Sequence, residues 1–201
     1  MREPFSKYVQ SEIAPETLMI TSGLPGTWKT ETSEEVSKIK GFPILRSDLI
    51  RLEVLRGEDV FDAKVAGNMN KRLFVYDEMF KRADDLLSKE RKGLIMDATF
   101  VTQELRRRAA EIAGKHKMQL AILETKCSEQ ASVNRIQKRT KQEYVSNALT
   151  VEAYLANKKK FEPVDIVALK ESVSGLRILH FVVDTEHDNP ESWYVIQSER
   201  R

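Results

Sequence analysis

A chain of 201 residues and 23.1 kDa has the size of one domain, 1–201, and two full domains would be cramped in it. Apolar residues at 41% exclude general disorder, a formal net charge of +2 excludes a strong field toward nucleic acid or anionic membranes, and a single cysteine, Cys127, excludes an internal disulfide. No apolar run reaches the roughly 18 residues that cross a bilayer, and the amino terminus lacks the hydrophobic stretch of a secretory signal, so a cytosolic location is expected.

Short apolar runs alternate with longer segments of helical period, the rhythm of a parallel sheet covered by helices on both faces. A short helix carrying Tyr8, Val9 and Ile13 opens the chain at the sheet edge. Five strands are predicted, at 17–22, 42–46, 93–98, 118–125 and 176–183. Between them, helices are predicted over 30–40, over 102–113 behind a Thr102 cap and over 128–137 behind a Ser128 cap. The clearest helix bears Met69, Leu73, Tyr76, Phe80, Ala83 and Leu87 at alternating spacings of four and three, with Gly93 beyond as a stop. The expected fold is an α/β three-layer sandwich with a five-stranded parallel sheet. In such sheets ligands sit outside the carboxyl ends of the strands, which draws attention to Gly23, Ser47, Asp48, Asp97, Thr99 and Asp184.

The first predicted strand runs into Gly23-Leu24-Pro25-Gly26-Thr27-Trp28-Lys29-Thr30 and then a polar helix. Glycines let backbone N–H groups turn inward around phosphate oxygens, the helix amino end adds its positive dipole, Lys29 reaches the terminal phosphates of a nucleotide, and the Thr30 hydroxyl can ligate magnesium. The pattern G-x-x-x-x-G-K-[ST] wants glycine where Trp28 stands. Three readings follow: an accidental strand-to-helix turn, a decayed site strained by tryptophan at positive φ, or a variant whose indole packs beside the loop or the base. The intact Lys29-Thr30 pair favours the third.

With these residues in place the chain resembles the small P-loop kinases of the zeta-toxin and polynucleotide-kinase-like group, which carry an AAA-type ATP-binding domain and phosphorylate hydroxyl groups with ATP. The resemblance covers roughly Leu18 to Asp184 and rests on the order of LMITSGLPGTWKT, LRSDLIRLEVL, LIMDATF, CSEQASVNRIQKR and VSNALTVEAYLANKKKFEP. It implies ATP and Mg2+ as cofactors, with Gly23 through Thr30 holding the nucleotide. It also implies that Asp48 is the general base for the acceptor hydroxyl, a role that suits a carboxylate near the terminal phosphate and competes with a helix-cap role. Arg51, three residues on, corresponds to an arginine that grips an anionic part of the substrate in such kinases; a surface ion pair with Glu53 is the alternative.

Asp97, ending the run Leu94-Ile95-Met96, is the counterpart of the acidic residue that holds magnesium with Thr30, unless it only caps the next helix. Thr99 is a candidate substrate contact. Arg135 and Arg139 share a helical face before a polar lid within about 138–150. Arg139 is taken as the catalytic arginine over the migrating phosphate and Arg135 as a nucleotide contact; the reverse order and a merely solvated face stay open. The triple Arg106-Arg107-Arg108 reads as a solvated face and Cys127 as a buried, inert thiol.

The sequence therefore describes an ATP-dependent phosphotransferase acting on a hydroxyl of a small molecule or nucleic-acid end, nucleic acid by family analogy alone. A catalytically silent nucleotide-binding protein and an ATPase using water are the alternatives. The acceptor and the oligomeric state are not written in the residues, and neither the lid nor the segment 57–70 carries an acceptor signature.

Overall fold

The computed structural model of the chain describes residues 1–58, 65, 68–138 and 150–201. Its centre is a seven-stranded sheet among the described residues, ordered β1-β7-β6-β5-β2-β4-β3. The strands are β1 (Glu3–Pro4), β2 (Thr17–Ser22), β3 (Ile44–Arg46), β4 (Leu94–Asp97), β5 (Gln119–Lys126), β6 (Ile178–Asp184) and β7 (Tyr194–Arg200). The five expected strands are β2 to β6 and run parallel, whereas β7 and β1 add an antiparallel edge that five-strand counting leaves out. Their physical signal is weak: β1 has two residues, and β7 ends in four consecutive polar residues, Gln197 to Arg200, none of them buried.

The helices are α1 (Phe5–Glu12), α2 (Lys29–Lys40), α3 (Ser47–Val54), α4 (Met69–Lys89), α5 (Gln103–Lys115), α6 (Glu129–Lys138), α7 (Val151–Lys160) and α8 (Ile166–Ser172). Side-chain oxygens of Asn68, Thr102, Thr150 and Asp165 accept from backbone N–H groups in the first turns of α4, α5, α7 and α8. No helix among the described residues is long and apolar enough to cross a membrane.

Every residue of β2 is buried, and alternation along it feeds two cores. Leu18 and Ile20 join Met79, Phe80, Ala109 and Leu169 under α4, α5 and α8, while Met19 joins Val36, Tyr8 and Trp193 on the other face. In α4 the buried stripe is Val75, Tyr76, Met79, Phe80, Ala83 and Leu87; Leu73, expected inside, is 41% exposed. The side chain of Met69 lies outside the described residues.

The arginine triple divides. Arg107 pairs with Glu104 and Glu111, and Arg108 with Asp77, on the surface. Arg106 is instead fully buried and ties α5 to its surroundings, donating to Glu162 O at 2.8 Å, Pro163 O at 3.1 Å and Ser22 Oγ at 3.4 Å. The solvated reading of Arg106 is thereby corrected: charge-run logic sees its neighbours in sequence but not the carbonyls the fold brings to it.

The crossover that leaves β2 leads to β3 on one side of the sheet and the one that leaves its neighbour β5 leads to β6 on the other, so the connections diverge between β2 and β5. The crevice at the carboxyl end of β2 is where a parallel sheet holds ligands.

Candidate active site

The loop from Gly23 to Trp28 leaves β2 and enters α2 at Lys29. Gly23 and Gly26 have φ of 145° and 81°, and a Cβ on either would lie 2.6 Å from Thr125 Oγ1 or Ser132 O respectively. Both glycines are therefore required by close packing as well as by backbone conformation. Thr27 Oγ1 donates to Leu24 O at 2.8 Å and lies 2.6 Å from Thr125 Oγ1, so the loop is braced against β5. At the start of α2 no side chain caps the helix, which leaves its first N–H groups pointing toward the loop.

Trp28 adopts φ 58° and ψ 35°, the left-handed region, at the position where a phosphate loop usually has glycine. For an L-residue this costs about 1–2 kcal/mol. Its indole lies toward the segment after β6: Nε1 donates to Asp188 Oδ1 at 3.2 Å, and the Arg135 guanidinium carbon stacks 4.9 Å from the ring centroid.

Arg135 itself is buried, and all five of its N–H donors have protein acceptors. Nε donates to Asp188 Oδ1, Nη1 to Gly26 O at 3.1 Å and toward Cys127 Sγ, and Nη2 to Thr185 O and Glu186 O, both at 2.8 Å. One side chain thus holds the loop, the indole and the chain after β6 together. Burial pushes the Asp188 carboxyl up, but the hydrogen bond and charge of Arg135 outweigh it and leave a net lowering.

Lys29 Nζ bends back to donate to Leu24 O at 2.6 Å, placing its ammonium across the loop. Thr30 Oγ1 donates to Asp97 Oδ2 at 2.7 Å, which joins the first turn of α2 to the end of β4. Asp97 is 5% exposed, and burial pushes its carboxyl above the usual carboxylate range, with the Thr30 hydrogen bond opposing and the nearby Asp48 charge reinforcing. Arg46 Nε, itself buried without a hydrogen-bond acceptor among the described residues, stands 4.0 Å from Asp97 Oδ2.

Asp48 lies in the first turn of α3, and Arg51 follows on the same face with Nη1 3.5 Å from Asp48 Oδ1. The alternative ion pair between Arg51 and Glu53 is not found among the described residues, where Glu53 pairs with Arg82. Thr99 Oγ1 is 3.4 Å from the Tyr76 hydroxyl, which also accepts from Phe100 N at 3.0 Å.

The structure therefore brings Gly23 through Thr30, Asp97, Asp48, Arg51 and Thr99 to one end of the sheet. Arg139, most of the lid and most of the segment 57–70 lie outside the described residues. Sequence reasoning missed Thr125, Asp188 and Tyr76, which support the site. Asp188 belongs to an acidic stretch without pattern, and Tyr76 reads as core because its helical spacing is apolar. Cys127, expected to be inert and buried, is half-buried with Sγ 3.1 Å from Ser132 Oγ, beside the loop.

Residues 18–164 match the family described as AAA domain. The chain belongs to that family. Among solved structures it is similar to a gluconokinase from Sinorhizobium meliloti 1021, at 14% identity and a TM-score of 0.60, with 87% of this chain and 86% of that one covered. A protein from Chloroflexus aurantiacus j-10-fl whose kinase activity is an assignment gives 19% identity, a TM-score of 0.65 and coverage of 89% and 92%. AvrRxo1-ORF1:-ORF2 with ATP gives 12% identity and a TM-score of 0.57, covering 97% of this chain and 61% of that one. No relative among curated proteins matches in sequence. The AAA domain seen here is thus kinase-like in fold, built on a phosphate loop.

Proposed function

We propose that the protein is an ATP-dependent phosphotransferase that moves the γ-phosphoryl group to a hydroxyl. The observation that carries this reading is the 2.7 Å hydrogen bond from Thr30 to Asp97, which sets a buried carboxylate beside the loop's Lys-Thr pair with Asp48 at the neighbouring strand end. The loop amides and Lys29 bind the phosphates. In the transfer, the acceptor oxygen bonds to the γ phosphorus, the bridging bond to ADP breaks, and the hydroxyl proton goes to Asp48.

Magnesium fits the site. A buried carboxylate whose proton affinity is raised by burial gains from a cation, and Thr30 Oγ1 is within reach of the same ion. Among the described residues no group of three or more His, Cys, Asp or Glu forms a cage. That suits an ion that takes one carboxylate and completes its shell with phosphate oxygens and water. When bound it neutralises charge on the phosphates.

Coupled ADP-release assays and calorimetry with ATP and magnesium test the reading. Lys29→Ala is expected to abolish ATP turnover. Asp48→Asn is expected to lower transfer by ~10²- to 10⁴-fold while ATP still binds. Undiminished transfer by that variant removes Asp48 as the base. One pair of observations favours a silent nucleotide-binding protein: Trp28 in the left-handed region and Lys29 Nζ bonded within its own loop. ATP binding by calorimetry with no acceptor-dependent ADP release is the result that selects the silent nucleotide-binding protein, and no heat and no thermal shift at millimolar ATP overturns nucleotide binding altogether.

A further inference from the structure

Trp28 stands where the loop departs from its pattern, and the two sides of that loop differ. Toward β4 and β3 lie the Thr30 bond to Asp97 and the carboxylate of Asp48, the groups assigned above to magnesium and the acceptor. Toward β5 and β6 lie Thr125, Arg135 on α6 and Asp188 after β6. A triphosphate whose last phosphate points at Asp97 and Asp48 therefore carries its nucleoside away on the β5 and β6 side. That is the side to which Trp28 sends its indole.

There the indole is held as a base would be. Proteins grip a nucleobase by stacking its plane on a guanidinium or an aromatic ring and by hydrogen-bonding its edge. The Arg135 guanidinium carbon lies 4.9 Å from the indole centroid, and Nε1 donates to Asp188 Oδ1 at 3.2 Å. Indole also shares with a purine a six-membered ring fused to a five-membered one. The same Oδ1 accepts from Arg135 Nε at 2.8 Å, so the stacking group and the edge acceptor are fixed to each other. The remaining Arg135 donors go to Gly26 O, Cys127 Sγ, Thr185 O and Glu186 O. A base arriving here meets a stacking surface and a carboxylate that the chain's own side chain already uses.

Resting on the reading of the loop as a triphosphate site, we propose that the Trp28 indole fills the base subsite from within the chain, so that the phosphoryl donor is selected by its phosphates and not by its base. The ligand chemistry is a magnesium triphosphate: a nucleoside triphosphate of any base, with inorganic tripolyphosphate as the limiting case. Loop amides and Lys29 bind the phosphates, and the nucleoside lies outside the filled subsite. Trp28 is thereby a specificity-determining residue whose effect is to remove a preference.

Calorimetry with the full chain and magnesium tests this against ATP, GTP, CTP, UTP and inorganic tripolyphosphate in turn. The four nucleotides are expected to bind within threefold of one another, and tripolyphosphate within tenfold of ATP. A wider spread among the bases overturns the inference. So does tripolyphosphate binding more than tenfold weaker than ATP, the result that an indole acting as a platform beneath the base would give. Trp28→Gly opens the subsite and leaves Arg135 and Asp188 to a base, so it is expected to favour purine over pyrimidine triphosphates at least threefold. A Trp28→Gly protein that melts cooperatively and still treats the four bases alike overturns the inference as well.

The indole gives a second readout that needs no turnover. In isotope-labelled protein its Nε1–H resonance, assigned by its loss in Trp28→Gly, is expected to keep its exchange rate with water when magnesium-ATP is added. Exchange that speeds up at least tenfold shows the indole leaving Asp188 and overturns the filled subsite. Equal binding of all five ligands by a protein without ADP release upholds the filled subsite and sinks the kinase reading instead. No heat from any of them sinks the phosphate loop, and the inference with it.

Discussion

Trp28 subjects one position to two opposing effects. Its left-handed backbone costs about 1–2 kcal/mol, while the Arg135 stack returns about 0.5–2 kcal/mol and the indole N–H bond to Asp188 adds to it. Because the indole is engaged beside the loop by these partners, Trp28→Gly is expected to change the ATP Kd by less than tenfold, about 1.4 kcal/mol. Arg135→Lys removes most of five hydrogen bonds at once and is expected to weaken ATP binding by more than tenfold. A double-mutant cycle in calorimetry should give a non-zero coupling between the two positions; strict additivity contradicts the clamp.

Asp97 gives a pH-dependent test. Burial raises its folded-state pKa above the unfolded value of about 3.9, so the ionised carboxylate is disfavoured in the nucleotide-free fold. That cost is absent below the unfolded value, grows as pH rises toward the folded value and is complete above it. Asp97→Asn is therefore expected to melt higher than the parent near pH 8, the gain shrinking as the pH falls toward 4, while its stabilisation by magnesium-ATP is lost. Melting scans across pH with and without nucleotide check both halves.

At the scale of elements, the site depends on which strand ends meet. Strand β2 delivers the loop, β4 delivers Asp97 and Thr99, and β3 leads directly into α3 with Asp48. These positions were legible in the sequence because each lies just after an apolar run, and β2 matches its predicted span of 17–22. The supports were not. Arg106 shares a helix face with buried Ala109, Ala110 and Ala113, but its acceptors, Glu162 O and Pro163 O, lie more than fifty residues away and no local pattern supplies them. Arg106→Ala, which strips these carbonyls of a charged donor inside α5, is expected to cost about 3 kcal/mol in urea unfolding, against about 1 kcal/mol for Arg108→Ala, which loses an exposed ion pair to Asp77 and a stack on Phe80. Equal costs refute the buried role.

Across the whole molecule, two cores on the two faces of the sheet meet at fully buried strands, and the antiparallel edge closes one of them. Trp193, just before β7, is 1% exposed and stacks edge-on to Phe5 at 6.1 Å between ring centroids. The amino terminus is thereby joined to the carboxyl-terminal strand, an arrangement no run of residues announces. Trp193→Ala is expected to cost about 3–5 kcal/mol of stability, read from denaturant midpoints, with the far core under α4 and α5 repacking little.

By itself the sequence determined the layered α/β arrangement, the phosphate loop and the placement of Asp48, Asp97 and Thr99, since periodicity and strand-end position are local properties of the chain. Only the tertiary structure decided that Arg135 saturates its donors on the loop and on Asp188, that Arg51 faces Asp48 rather than Glu53, and that Arg106 is internal. Those outcomes depend on which carbonyls and carboxylates distant segments bring within hydrogen-bond reach, and that distance is set by packing.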